Sequence, residues 1–274
     1  MAYQYALKEM KKNKILINIE NLNEIEEYKK IGINNFLFAV KDFSIGYNSY
    51  TLEEIKELDC NKYLLINRIF NTNDVEEFKK IKNKLLDFEY IIFEDIAVYN
   101  ILKDTNVKLI WNQTHFASNY SSINYWLELT YSAVISNELT KLEVIDILNK
   151  STKNLVLNIF GKNPIMYSRR TLLSNFNKHF ELENRSNAIL EESITNNEFL
   201  ATENDKGTFI VNNKHFNLIP FLNEFNDDKI QYYLIYPNDI EYSNMIKYIE
   251  EETNDNTDDG FMNKKTIYKL GVKK

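Results

Sequence analysis

The chain has 274 residues, a formal net charge of −7 and a single cysteine, Cys60. The acidic balance excludes nucleic-acid binding by bulk charge, because neutralising phosphates takes clustered Lys and Arg, and it leaves open only a local basic patch. One cysteine excludes an internal disulfide and any cysteine-built zinc site or cluster within this chain. No apolar run reaches the roughly 18 residues of a membrane span, and the opening MAYQYALKEMKKNK lacks a signal-peptide core, so the expectation is a cytoplasmic protein with no membrane partner.

From Lys14 onward the chain repeats one pattern. Short apolar runs begin at Lys14 (KILINI), Asn35 (NFLFAV), Lys62 (KYLLIN), Tyr90 (YIIF), Val107 (VKLIW), Tyr131 (YSAVIS) and Leu155 (LVLNIF). They are unbroken and rich in Ile, Leu and Val, as strands buried on both faces are. Between them lie helix starts with capping-box spacing at Asn21/Glu24, Thr51/Glu54 and Thr140/Glu143. After Asn73 an apolar stripe runs through Val75, Phe78, Ile81 and Leu85.

Strand–helix alternation of this kind builds a parallel sheet. Its length favours an α/β fold of TIM-like (β/α)8 type, regular or distorted. The rival is a doubly wound open sheet, although no GxGxxG turn is present. After Phe180 the alternation breaks. EFLATENDKGTFIV, from Glu198, reads as a hairpin turning at Asn204 to Gly207, and KIQYYLIYP, from Lys229, as the last barrel strand. The expected organisation is a barrel over 1–253 with a hairpin-bearing insertion at about 181–218. A linker, NDNTDDG, and a strand-like tail then occupy 254–274.

In such a barrel the residues just past the strands' C-terminal ends form the site. They are Asn67 and Arg68; Glu94 and Asp95; Asn112, Gln113 and His115; Asn137 and Glu138; and Gly161 with Tyr167, Ser168, Arg169 and Arg170. Each has a plainer reading. Asn137 and Glu138 equally complement a helix dipole. Glu94 and Asp95 equally serve as solvated loop acids. The arginines equally pair with Asp95 or Glu138, or bind a carboxylate or phosphate through their planar forks. No HExxH, Walker or GxSxG motif is present, and no metal ligand set is expected.

The order NRIF, FEDIAVYNIL, NQTHFASNYSSINYW, ISNELTKLEVIDI, NIFGKNPIMYSRRTLLSN resembles the collagenase-like peptidase family U32, well over Lys14 to Phe180 and more loosely beyond. The positions that match the family pattern are Asn67, Asp95, Gln113, Glu138, Gly161, Tyr167, Ser168, Arg170 and Ser174. The departures are Asn137 for an arginine, Phe160 for a histidine, Arg169 for a glycine, and Pro164 and Thr171 for two cysteines.

The resemblance implies Glu138 and Asp95 as catalytic candidates. It implies Asn67, Gln113, Tyr167, Ser168, Arg169 and Arg170 as substrate-binding candidates. Family members with those cysteines hold an iron–sulfur cluster and hydroxylate RNA bases or a quinone precursor, some as pairs of family subunits; others are described as proteases. Proline and threonine cannot ligate iron, so no cofactor is expected on this chain alone. Three functions follow from the resemblance. One is a cluster-less subunit in a heteromer with a cysteine-bearing paralogue, acting in RNA base (tRNA) hydroxylation. The others are a collagenase-like peptidase acting on peptides and a non-catalytic binding barrel.

Overall fold

A computed structural model describes residues 11–113, 115–194, 196–251 and 257–264. It shows a mixed α/β fold built on a curled sheet. The sheet strands are β1 (Ile15–Asn18), β2 (Asn35–Val40), β3 (Ser49–Tyr50), β4 (Asn61–Ile66), β5 (Tyr90–Phe93), β6 (Lys108–Trp111), β7 (Ser132–Ala133), β8 (Leu155–Gly161), β13 (Phe216–Asn217) and β14 (Ile230–Ile235). Their order is β13-β8-β14-β1-β2-β4-β5-β6-β7, with β3 attached to β2, and every pairing except that of β13 is parallel. The run from Tyr131 yields only two strand residues. Just beyond them, one parallel bridge links Val134 to Val156 of β8, and Ile135 N–H donates to Val156 O at 2.9 Å. The two ends of the curl thus meet at a single bridge rather than along a ladder.

Period-2 alternation divides each strand between two cores. Leu16, Leu37, Leu65, Ile92, Ile110, Val156 and Leu234 point into the curl. Ile17, Phe38, Leu64, Phe93, Leu109 and Leu157 point outward, against Tyr28, Phe78, Val98, Leu127 and Leu148 of the surrounding helices. At the strands' N-terminal end the interior is plugged by tyrosines. The Tyr63 hydroxyl lies 2.7 Å from that of Tyr232, and the Tyr63 ring stacks on Tyr90 at 4.5 Å.

The helices start as their caps dictate. At Thr51 and Thr140 the box closes, with each threonine N–H donating to its glutamate at 2.8 Å. A further box, Asn71/Asp74, opens the helix Thr72–Leu85. At Asn21 the expected helix start is instead a 3-10 turn, Leu22–Glu24, with Asn21 accepting from Asn23 N–H.

A second, antiparallel sheet stands beside the curl. Its order is β10 (Asn187–Glu191), β11 (Glu198–Asn204), β12 (Gly207–Asn212) and β9 (Pro164–Ser168). The hairpin turns where Asn204 faces Gly207. This accessory sheet recruits Pro164–Ser168, upstream of the expected insertion start, while Phe216–Asn217 returns to the main sheet. Residues 257–264 lie against the body through the Phe216–Asp258 bridge. Residues 260–263 form a turn rather than a strand. The start of the linker and the rest of the strand-like tail, 265–274, lie outside the described residues. Among the described residues, no helix is long and apolar enough to cross a membrane.

Candidate functional site at the sheet mouth

The alternation that fills the interior continues toward the C-terminal ends of five strands. Two residues beyond inward-facing Leu65, Ile92, Ile110, Val156 and Leu234 stand Asn67, Glu94, Asn112, Asn158 and Tyr236. All five line one chamber at the strands' C-terminal mouth, with Pro164 and Phe209 of the accessory sheet over it. The chamber holds about 20 Å³, room for about one water-sized group.

Its polar lining is one carboxyl, three amides and two phenols. Glu94 accepts from Asn112 Nδ2 at 3.3 Å and has no ion pair among the described residues. Burial alone pushes its carboxyl from 4.5 up to about 8, so it is largely protonated at neutral pH. The amide oxygens of Asn112 and Asn158 are buried without a donor. Asn67 is spoken for: its amide donates to Ile45 O at 3.1 Å and accepts from Ile45 N–H at 2.9 Å, which fixes the loop that carries Gly46 and Tyr47. Tyr47 stacks on Tyr236 at 4.8 Å, and Phe209 packs on Tyr47 at 6.1 Å. Gly46, at φ +83°, leaves no room for a Cβ beneath the Phe209 ring.

Outside Phe209 a groove of about 360 Å³ runs between the mouth and the accessory sheet. Glu20, pushed up by burial to about 7, lines it. So does Lys162, whose side chain is 2% exposed and pairs with Asp239 at 2.9 Å. Burial works against ionisation of Asp239, but the Lys162 hydrogen bond and charge hold its carboxyl below the ordinary value. His215 packs behind, its Nε2 3.2 Å from the same carboxylate, and burial pushes its pKa down.

On the other side of Glu94 an open crevice of about 510 Å³ is lined by Trp111, Gln113, Phe116, Tyr125 and Trp126. Trp111 stacks on Trp126 at 4.7 Å. Gln113 Nε2 donates to Glu94 O at 3.1 Å.

The remaining sequence candidates scatter. Asp95 caps the helix Ile96–Leu102: its two oxygens accept from Ala97 N–H and Phe70 N–H, both at 2.8 Å. Arg68 is buried, bonded to Asp42 O and to Asp74 at 3.1 Å. Glu138 stands at the rim, its Oε1 3.2 Å from His115 Nδ1, each side chain about half exposed. Tyr167 donates to Lys206 O at 2.9 Å, and Ser168 Oγ accepts from Arg170 N–H at 3.2 Å. Ser174 donates to Glu203, which caps the helix Leu172–His179 by accepting from Leu173 and Ser174 N–H. Arg169 and Arg170 are exposed on the accessory unit and make no ion pair among the described residues, with Asp95 and Glu138 or otherwise. Gly161, at φ +149°, packs on Tyr236.

These features define a mixed α/β protein whose curled parallel sheet carries a roofed, acceptor-rich mouth. The model of peptidase family U32 matches residues 31–251, and the chain belongs to that family. No curated protein matches it. Among solved structures it is similar to the spore cortex-lytic enzyme SleL of Bacillus megaterium QM B1551, at 13% identity over 82% of this chain and 70% of that one, with a TM-score of 0.37. It is also similar to a chitinase from Chromobacterium violaceum ATCC 12472, at 8% identity over 86% of this chain and 99% of that one, with a TM-score of 0.39. Likeness at that level carries no argument about activity.

Proposed function

We propose that this chain is a cluster-less U32 subunit that works beside a cysteine-bearing family paralogue in cytoplasmic RNA base (tRNA) hydroxylation, its curl serving as a (β/α)8 barrel. The Val134–Val156 bridge supports that closure. The observation that carries the reading is an uncovered apolar face that begins at the end of the family motif and continues beyond it. A cavity of about 600 Å³ there is lined by Leu172, Phe176, Leu182, Ile189 and Leu190. Phe176, Leu182 and Ile189 are more than half exposed, and apolar surface of this kind marks an interface. Arg169 and Arg170 sit in the same motif. Pro164 begins β9 and Thr171 precedes the helix Leu172–His179; neither side chain fits an iron ligand, so any cluster belongs to the partner.

Copurification of the tagged protein from its host tests this. A cysteine-bearing U32 protein should come with it and be lost from the doubly substituted Phe176→Glu/Ile189→Glu variant, whose circular dichroism stays unchanged. Recovery of a lone monomer overturns the reading.

A second reading, peptide hydrolysis, gains one observation: the His115–Glu138 pair gives the rim a histidine–carboxylate couple of the kind that moves protons. Gelatin or peptide cleavage that disappears in Glu138→Gln would establish it. No cleavage by the wild type would remove it.

A further inference from the structure

The geometry points to the mouth and its crevice as a binding site for a primary alkylammonium group, with the ammonium in the chamber and its chain along the aromatic crevice. This site stands independently of the partner reading and of the reaction the mouth performs.

Three observations converge. The first is the acceptor set. Glu94, Asn112 and Asn158 line one water-sized chamber, and behind that lining the amide oxygens of the two asparagines are buried without a donor. An ammonium head carries three donors and no acceptor, which matches such a set. A buried acceptor left unpaired costs roughly 1–3 kcal/mol, so a donor-only ligand recovers more than a mixed one.

The second is charge. No Lys, Arg or His forms an ion pair with Glu94 among the described residues, so the counter-ion the site lacks is one the ligand can bring. The titratable groups that face this carboxyl, Tyr47 and Tyr236, have phenols that burial pushes up, so they stay neutral. Burial holds the acid protonated at neutral pH, and a bound cation reverses that preference. Binding near pH 7 therefore releases a proton from Glu94.

The third is the crevice. Glu94 lines both the chamber and the aromatic cleft. At the lip, Phe116 is 68% exposed and Tyr125 62% exposed. Aromatic faces left in water this way suit an alkyl chain and a cation near the rings.

The protein carries its own reporter. Trp111 and Trp126 are the only two tryptophans in the chain, and both line the crevice, so all tryptophan emission comes from this site. Titration with 1-aminopentane at pH 7 should give a saturable fluorescence change with uptake of the released proton by the buffer. 1-Pentanol, equal in length but uncharged, should bind at least about tenfold more weakly. Glu94→Gln should lose the proton release and about tenfold in affinity. Phe116→Ala, at an exposed position that does not threaten folding, should weaken binding and keep the proton release. Nα-acetyl-lysine amide distinguishes sources: if it binds like the free amine, the natural ligand is a lysine side chain, and if it fails while 1-aminopentane binds, a small amine. No saturable response to 1-aminopentane, or an equal response to pentanol, overturns the assignment.

Discussion

Gly207→Val should dismantle the accessory sheet and leave the curled sheet folded. Gly207 has φ +133°, and a Cβ there would lie 2.1 Å from Ser168 O and 2.9 Å from Arg169 Cα. Both obstacles are backbone, so no side-chain rotation relieves them. A left-handed conformation held by a β-branched residue costs roughly 1–3 kcal/mol by itself, and the clash adds to it. Relief requires β9 to separate from β12 where Thr208 pairs with Ser168. That displaces Tyr167, Ser168, Arg169 and Arg170 together and lifts Phe209 off the mouth. Hydrogen exchange should show protection lost through 164–212 and kept in Asn35–Val40 and Asn61–Ile66. Copurification of the partner should fail. Unchanged protection in the hairpin would show that the turn tolerates a side chain and that the pairing is looser than described.

Glu94→Gln should flatten the dependence of stability on pH. The folded protein holds the Glu94 proton more tightly than the unfolded chain, about 8 against 4.5. Its stabilising contribution is therefore complete below about pH 4.5 and is lost as the pH rises toward 8, at about 1.4 kcal/mol per pH unit over that window. Glutamine can still accept from Asn112, so the variant should match the wild type near pH 4 and exceed it by a few kcal/mol near pH 8.5. Urea midpoints at the two values read this directly. A residual slope should remain up to about pH 7 from Glu20, which burial also raises. Equal slopes in variant and wild type would contradict a raised Glu94 carboxyl.

The strands and most helix starts were legible because apolar runs and capping boxes are local. Thr51/Glu54 and Thr140/Glu143 closed where their spacing said they would, whereas at Asn21/Glu24 the first turn is 3-10 and the α-helix Ile25–Lys30 begins directly after it. The last parallel strand, Ile230–Ile235, was readable across a long irregular stretch from its apolar run alone. That Pro164–Ser168 would join the hairpin was not readable, since antiparallel pairing between distant segments leaves no mark in either.

At the site, the family pattern singled out Asp95, yet strand parity favours its neighbour. Ile92 faces inward and Phe93 outward, so Glu94 enters the mouth and Asp95 turns to cap a helix. The same two-residue step from Val156 reaches Asn158, which sequence reading passed over because it lies inside an apolar run. Applied to β4, β5, β6, β8 and β14, the step reaches the five chamber residues from Asn67 to Tyr236. It would not have found the aromatic crevice, whose walls come from a strand end, a loop and a helix.

The site turns on Glu94 as a neutral acid between the chamber and the crevice. Infrared difference spectra between wild type and Glu94→Gln, recorded across a pH titration, isolate that one carboxyl from Glu20 and the surface acids. A protonated-carboxyl band that persists at pH 7 and titrates near 8 is the predicted result. A midpoint near 4.5, as for a solvated glutamate, would contradict both the closed mouth and the ligand assigned to it.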